Sequence, residues 1–352
     1  MACCLIGLGA NLGDAEATLR AAVSWLAKQP GIERLQVSSF FSTAPAGGPA
    51  GQPQYANAAA RLETQRAPHE VLELLQECEA QFGRERRETW GPRTLDLDLL
   101  LYDQVELATP RLTLPHSRLA HRRFVLEPAV EIAGDLRHPT FRSTLAELLS
   151  HVNSAPRYVA VASACWFAKQ YVVATALTSL KSSGTAARTL TTRGITVLGA
   201  PPIEDPEHSF VDHYCDLLPR LASELREALA QSNDWLLLSY WPGELELGAQ
   251  LWFSGKAREM AMQAFTEAFA GVASPQLLLY LPTPDDLQLF SPTQPGHNDT
   301  YYEQARRLAA QRDALDRHIA NVQGLPLLRV GADQPEAAIR ELSAAVVALT
   351  GK

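Results

Sequence analysis

Cysteine is scarce in this sequence of 352 residues, with five copies at positions 3, 4, 78, 165 and 215 and no CxxC pair. An odd count without framework spacing fits reduced, mostly buried thiols rather than a disulfide scaffold. Basic blocks are missing as well. Lys and Arg number 31 against 39 Asp and Glu, for a formal net charge of −8. That balance argues against nucleic acid and against an anionic membrane surface as partners. No apolar stretch approaches the ~20 residues of a membrane span. No lysine or arginine precedes the short apolar run at the start, and a glycine turn follows at once, so it reads as a strand and not as a signal peptide. Heptads, repeats and low-complexity tracts are also lacking. The expected location is the cytoplasm.

An apolar content of 46% is ample for two cores, and the length favours two domains. The periodicity predicts strands at 2–8, 32–42, 55–63 and 94–102, and helices at 14–28, 68–82 and 119–132. Pro68 in a first turn and Val71, Leu72, Leu74 and Leu75 at helical spacing support the second helix. Mixed elements at hairpin-like spacing make this an α+β or α/β unit. A short helix over 143–152 closes it, and Asn153-Ser154-Ala155-Pro156 is the best linker. The pattern then restarts, with apolar strands at 158–163, 195–198, 235–239, 276–281 and 326–330 separated by helices. That alternation implies a parallel sheet covered on both faces.

The chemistry concentrates in Trp90-Gly91-Pro92-Arg93-Thr94-Leu95-Asp96-Leu97-Asp98-Leu99. Leucine and aspartate alternate with period two, so Asp96 and Asp98 point the same way from one strand. Two adjacent carboxylates repel unless a cation sits between them, and their oxygens suit Mg²⁺. Arg84, Arg86, Arg87 and Arg93 just upstream supply donors shaped for phosphate oxygens. Taken alone, an Asp-x-Asp is more often a solvated strand edge. The opening Gly7-x-Gly9-x-x-x-Gly13 is one residue too long for a dinucleotide fingerprint.

The surroundings shift that balance. Ile6-Gly7-Leu8-Gly9-Ala10-Asn11, Ser38 to Pro45, Gly51 to Ala59, Arg111-Leu112-Thr113-Leu114-Pro115-His116 and Arg122-Arg123-Phe124-Val125-Leu126-Glu127-Pro128 stand in order around the acids. Over residues 1–152 the chain resembles the 6-hydroxymethyl-7,8-dihydropterin pyrophosphokinases of folate biosynthesis. The resemblance implies a ferredoxin-like α+β sandwich and transfer of pyrophosphate from ATP to the pterin alcohol, with release of AMP. It implies two Mg²⁺ ions on Asp96 and Asp98, with Asp98 a candidate proton acceptor. Arg84 and Arg93 join these acids as the residues expected to carry the chemistry. Glu79, Arg84, Arg86, Arg93, Arg111, Thr113, His116 and Arg122 match positions that meet ATP. Tyr55 and Phe124 match a stacking pair for the pterin, Asn57 an edge-reading amide, Thr43 a backbone contact, and Trp90 the closing residue of a lid formed by 85–89.

Residues 157–352 resemble P-loop deoxynucleoside kinases, which implies a three-layer domain with a parallel sheet. The phosphate loop is degenerate. Its counterpart, Ser163-Ala164-Cys165-Trp166-Phe167-Ala168-Lys169-Gln170, keeps only the lysine. Gly199-Ala200 and Leu238-Ser239-Tyr240 stand where catalytic acids and an arginine are expected, and the lid region 288–300 has no arginine. The expectation is an inactive companion of structural or regulatory role, with a homodimer through this domain a further implication. The alternatives are a bifunctional enzyme that also phosphorylates deoxynucleosides, and a non-catalytic scaffold.

Overall fold

The computed structural model describes residues 1–46, 48–49, 51–84, 91–190, 208–283, 299–331 and 335–350, with side chains from 210 and 309 onward in the segments that begin at 208 and 299. The chain divides into two compact units. The first comprises Met1–Ser154 with the short segments Gln323–Pro326 and Ala344–Lys352; the second comprises Ala155–Val322 and Leu327–Ser343. The architecture is mixed α/β. Among the described residues no helix is long and apolar enough to cross a membrane.

The first unit is built on an antiparallel sheet. Strands β1 (Ala2–Ala10), β2 (Ile32–Val37), β4 (Tyr55–Thr64) and β5 (Asp96–Tyr102) lie in the order β2-β4-β1-β5, and β3 (Phe41–Thr43) also pairs with β4. One face of β1 carries Cys4, Ile6 and Leu8. It packs with Leu19, Ala22 and Leu26 of helix α1 (Ala15–Leu26) and with Val71, Leu74, Leu75 and Cys78 of α2 (Pro68–Gln81). The other face carries Leu5, Gly7 and Gly9, and α3 (Arg123–Ala133) packs against this sheet. The helix starts follow local chemistry. Asp14 caps α1 by accepting the Ala17 N–H at 3.1 Å, and Glu70 reaches back to the Ala67 N–H at 2.6 Å before Pro68 begins α2.

Two elements differ from the sequence expectation. The single strand expected over 32–42 is broken after Val37. There the Ser38 hydroxyl accepts the Ala59 N–H at 2.9 Å and the Ser39 N–H goes to Glu131 at 2.7 Å, in place of regular ladder bonds. The helix expected over 119–132 is a 3₁₀ turn, Leu119–His121, followed by α3. Arg122 between them has extended backbone (φ −91°, ψ 104°), which separates the two helical segments. A small hairpin, β6 (Leu107–Ala108) with β7 (Thr113–Leu114), and helix α4 (Leu145–Ser154) complete the unit.

The second unit holds a five-stranded parallel sheet in the order β12-β11-β8-β10-β9. Its strands are β8 (Tyr158–Ala162), β9 (Ala187–Thr189), β10 (Trp235–Leu238), β11 (Leu277–Tyr280) and β12 (Leu327–Arg329). Every residue of β8, β10 and β11 is buried, as continuous apolar runs in a parallel sheet require. The strand expected at 195–198 lies outside the described residues; the strand pairing with β10 is at Ala187–Thr189. The described helices after Ser154 are α5 (Trp166–Ser182), α6 (His208–Gln231), α7 (Pro242–Trp252), α8 (Gly255–Phe269), α9 (Asp299–Ala320) and α10 (Pro335–Thr350), whose residues from Ala344 onward fall in the first unit.

Candidate active site

Strand register assembles the first unit's cleft. Gly9 lies opposite Asn57 on β4 and Asp96 on β5, and Gly7 lies opposite Ala59 and Asp98. Thr43 lies opposite Tyr55. Residues opposite one another share a face of the sheet, as do residues two apart. Thr43, Tyr55 and Asn57 therefore stand on the same face as Asp96 and Asp98, with two glycines between them. The glycines matter because they leave a trough. A Cβ on Gly9 would come within 3.3 Å of the Asn57 Oδ1. The resulting cleft, of about 100 Å³, is lined by these residues together with Arg93, Arg122 and Phe124.

At one end Asn57 donates from Nδ2 to the Thr43 hydroxyl at 2.6 Å, so Thr43 engages through its side chain. The Tyr55 hydroxyl donates to the Gly91 carbonyl at 3.3 Å. The Arg122 guanidinium lies 5.4 Å from the centre of the Phe124 ring, a cation–π contact at the rim.

At the other end charges interlock. Arg84 donates to Glu79 and, at 2.7 Å, to Asp96; Arg93 also pairs with Asp96. Glu79, whose side chain is 5% exposed, also accepts the Leu97 N–H at 2.8 Å, which ties α2 to the acid-bearing strand. Burial raises the Glu79 carboxyl above its ordinary value against the pull of Arg84. Burial and then the neighbouring Asp98 raise Asp96. Asp98 goes the other way. Burial pushes it up, but His116, whose Nε2 is 4.0 Å away, outweighs this together with Arg122, Arg93 and Arg84. Asp98 is therefore ionised at neutral pH, and its side chain is 40% exposed toward the cleft.

Sequence reading missed Asn11, which is buried at 3%. Its Oδ1 accepts the Arg93 N–H at 2.7 Å and its Nδ2 donates to Gln52 at 3.3 Å, holding both sides of the cleft. Its place two residues after Gly9 was the available signal. Arg111 lies outside the cleft lining, exposed and 3.5 Å from Glu73, and Thr113 is exposed on β7. Arg86, Trp90 and the rest of the 85–89 lid lie outside the described residues.

The acid pair suits a divalent cation in a particular way. Among the described residues no trio of His, Cys, Asp or Glu is placed to hold a metal by itself. Two carboxylates on one strand, facing a cleft with arginines, match how Mg²⁺ binds when substrate phosphates complete its shell.

In the second unit Lys169, the lysine singled out by the sequence resemblance, is already engaged. Lys169 Nζ pairs with Glu244 at 2.8 Å, with both side chains nearly buried, and the same carboxylate accepts the Ser163 N–H at 2.8 Å.

The family model for 7,8-dihydro-6-hydroxymethylpterin-pyrophosphokinase matches residues 5–134. A 2-amino-4-hydroxy-6-hydroxymethyldihydropteridine pyrophosphokinase from Synechocystis sp. is 41% identical over 149 residues, 42% of this chain and 75% of that protein. One of the same name from Methylorubrum extorquens is 42% identical over 145 residues, 41% of this chain and 91% of its own length. A solved HPPK-DHPS from Plasmodium falciparum overlays 98% of this chain and 83% of its own at 10% identity, with a TM-score of 0.33, too loose a likeness to inform the second unit.

Proposed function

The chain belongs to the 7,8-dihydro-6-hydroxymethylpterin-pyrophosphokinase family, and from that premise we propose that its first unit transfers pyrophosphate from ATP to 6-hydroxymethyl-7,8-dihydropterin in folate biosynthesis. The observation that carries the reading is the shared face: a hydrogen-bonding amide, an aromatic ring and two acids in register across a glycine floor.

In this reading the flat pterin lies between Tyr55 and Phe124, with Asn57 at its polar edge and Thr43 fixing that amide. Arg93 and Arg122 line the cleft, with Arg84 beside them on Asp96, and the planar five-donor guanidinium group suits phosphate oxygens. His116 adds a further donor beside Asp98. Arg111 and Thr113 belong to the nucleotide's outer portion, and Arg86 and Trp90 to the loop that closes over it. Asp96 and Asp98 would hold Mg²⁺, two ions by family resemblance, and bound metal supplies the charge that offsets the crowded phosphates. The pterin oxygen bonds to the β-phosphorus, the bond from that phosphorus to the α–β bridging oxygen breaks, and AMP leaves. The hydroxyl proton passes to the ionised Asp98. Holding the reactants in line is the protein's main contribution.

The second unit we read as a P-loop-kinase-like domain, from about residue 157, that has lost kinase activity; of the linker expected at 153–156, Asn153 and Ser154 belong to helix α4, which leaves Ala155-Pro156 as the connection. Its central strand β8 is followed by a run with only Lys169 of the phosphate-binding set, and Glu244 engages that lysine. This disfavours a bifunctional enzyme. A structural role, with self-association through this domain, fits better, as does a ferredoxin-like description of the first unit and residence in the cytoplasm.

The test is product analysis. The full chain with ATP, Mg²⁺ and 6-hydroxymethyl-7,8-dihydropterin should release AMP one-for-one with pterin diphosphate. ADP as the product, or AMP release indifferent to the pterin, would overturn the reading.

A further inference from the structure

The second unit contains a cavity of about 340 Å³ that the proposed reaction does not use. It opens where parallel strands end: Ser163 follows β8, Thr283 lies beyond β11, and Gly331 lies beyond β12. In the sheet order, the chain leaves β8 toward β10 and β9 but leaves β11 toward β12. The loops after neighbouring strands β8 and β11 thus head apart, and the crevice at such a reversal is where open parallel sheets bind ligands. The volume falls at the lower end for small-molecule sites, ~300–1,000 Å³.

The lining states what could enter. Phe167 and Tyr171, one turn apart on α5, are 60% and 53% exposed and line the opening. Large aromatic rings held in water beside a cavity mark a surface awaiting an apolar partner. Deeper in, the Ser163 and Thr283 hydroxyls stand 3.4 Å apart as a polar pair. Among the described lining residues only Glu336 is charged, and it is an acid. The nearby Lys169 and the Ser163 N–H, which could otherwise meet an anion, are both taken by the Glu244 carboxylate at 2.8 Å. An internal carboxylate is thus the anion these two donors already meet.

We propose that this cavity binds a flat, uncharged aromatic molecule, stacked on Phe167 and Tyr171 with one polar edge at the Ser163–Thr283 hydroxyls, and that it excludes phosphorylated compounds.

The neutral dye Nile red, titrated into the full-length protein, is the probe. Its fluorescence should report one saturable site that saturating ATP or inorganic pyrophosphate leaves unchanged. Phe167→Ala, at an exposed position that does not threaten folding, should weaken binding roughly tenfold, the equivalent of one buried aromatic contact. Val172→Trp, which fills the cavity, should abolish it, with far-ultraviolet circular dichroism confirming the native fold. Unsaturable binding, an affinity indifferent to Phe167→Ala, displacement by pyrophosphate, or displacement on concentration-dependent dimerisation would each overturn the proposal.

Discussion

Asp96 in the first unit and Glu244 in the second both face basic groups, yet the two clusters have different surroundings. Arg84, Arg93 and Asp96 keep 15%, 24% and 21% of their side chains exposed on an open cleft, next to a second acid. Lys169 and Glu244 keep 9% and 13%, and a backbone N–H joins them. A pair that must exchange partners with a triphosphate needs an accessible cleft and spare donors. A closed pair shielded from water holds structure instead. Pairing with a protein carboxylate is common to both clusters; what separates them is whether an open cleft leaves the cation within a ligand's reach.

The largest expected effect is on turnover. Asp98→Ala should lower pterin-dependent AMP release by roughly 10³-fold or more while circular dichroism stays native, since charge stabilisation at the phosphates is lost. Persisting AMP release would show that Asp98 has no part in metal binding.

Stability comes next. Arg84→Met leaves Glu79 buried without its cation and should destabilise the first unit by about 3 kcal/mol; Lys169→Met should do the same to the second through Glu244. Adding the partner change, Glu79→Leu or Glu244→Leu, should recover most of that loss in each unit, as read by urea unfolding. The Arg84/Glu79 double variant should remain impaired in turnover and the Lys169/Glu244 variant should not. Equal impairment of both would erase the distinction drawn here.

Acid should separate the units too. His138 is 4% exposed, stacked on Phe141 at 4.1 Å, and burial holds its imidazole at about 4 against an ordinary 6.5. Burial lowers His121 likewise. A histidine kept neutral in the folded state contributes fully above pH 6.5 and loses its contribution as pH falls toward 4, because the unfolded chain takes up the proton first. Up to about 3 kcal/mol is at stake for His138. His138→Phe should flatten acid unfolding of the first unit over that window. An unchanged pH profile would remove the histidine from the account.

The smallest effect concerns the glycine floor. Gly9→Ala places a methyl 3.3 Å from the Asn57 Oδ1 and should raise the KM for pterin several-fold with little change in kcat. A fall in kcat instead would mean that the displaced group acts on the phosphates.

Much of this was legible in the chain. The Leu/Asp alternation placed both acids on one face of β5, and Pro68 marked the start of α2. What escaped was non-local. The value of Gly7 and Gly9 lies in their register against β4 and β5, which no local window contains. Glu244 is 75 positions from Lys169 and 81 from Ser163, so its role as an internal anion needed the fold. The break after Val37 depended on Glu131, 92 residues from Ser39.

One assay bears on the contrast most directly: pterin-dependent AMP release measured side by side for the native chain, Asp98→Ala, and the Lys169→Met/Glu244→Leu double variant. The account predicts full release from the first and third and none above background from the second. Release by Asp98→Ala, or its loss in the double variant, would contradict it.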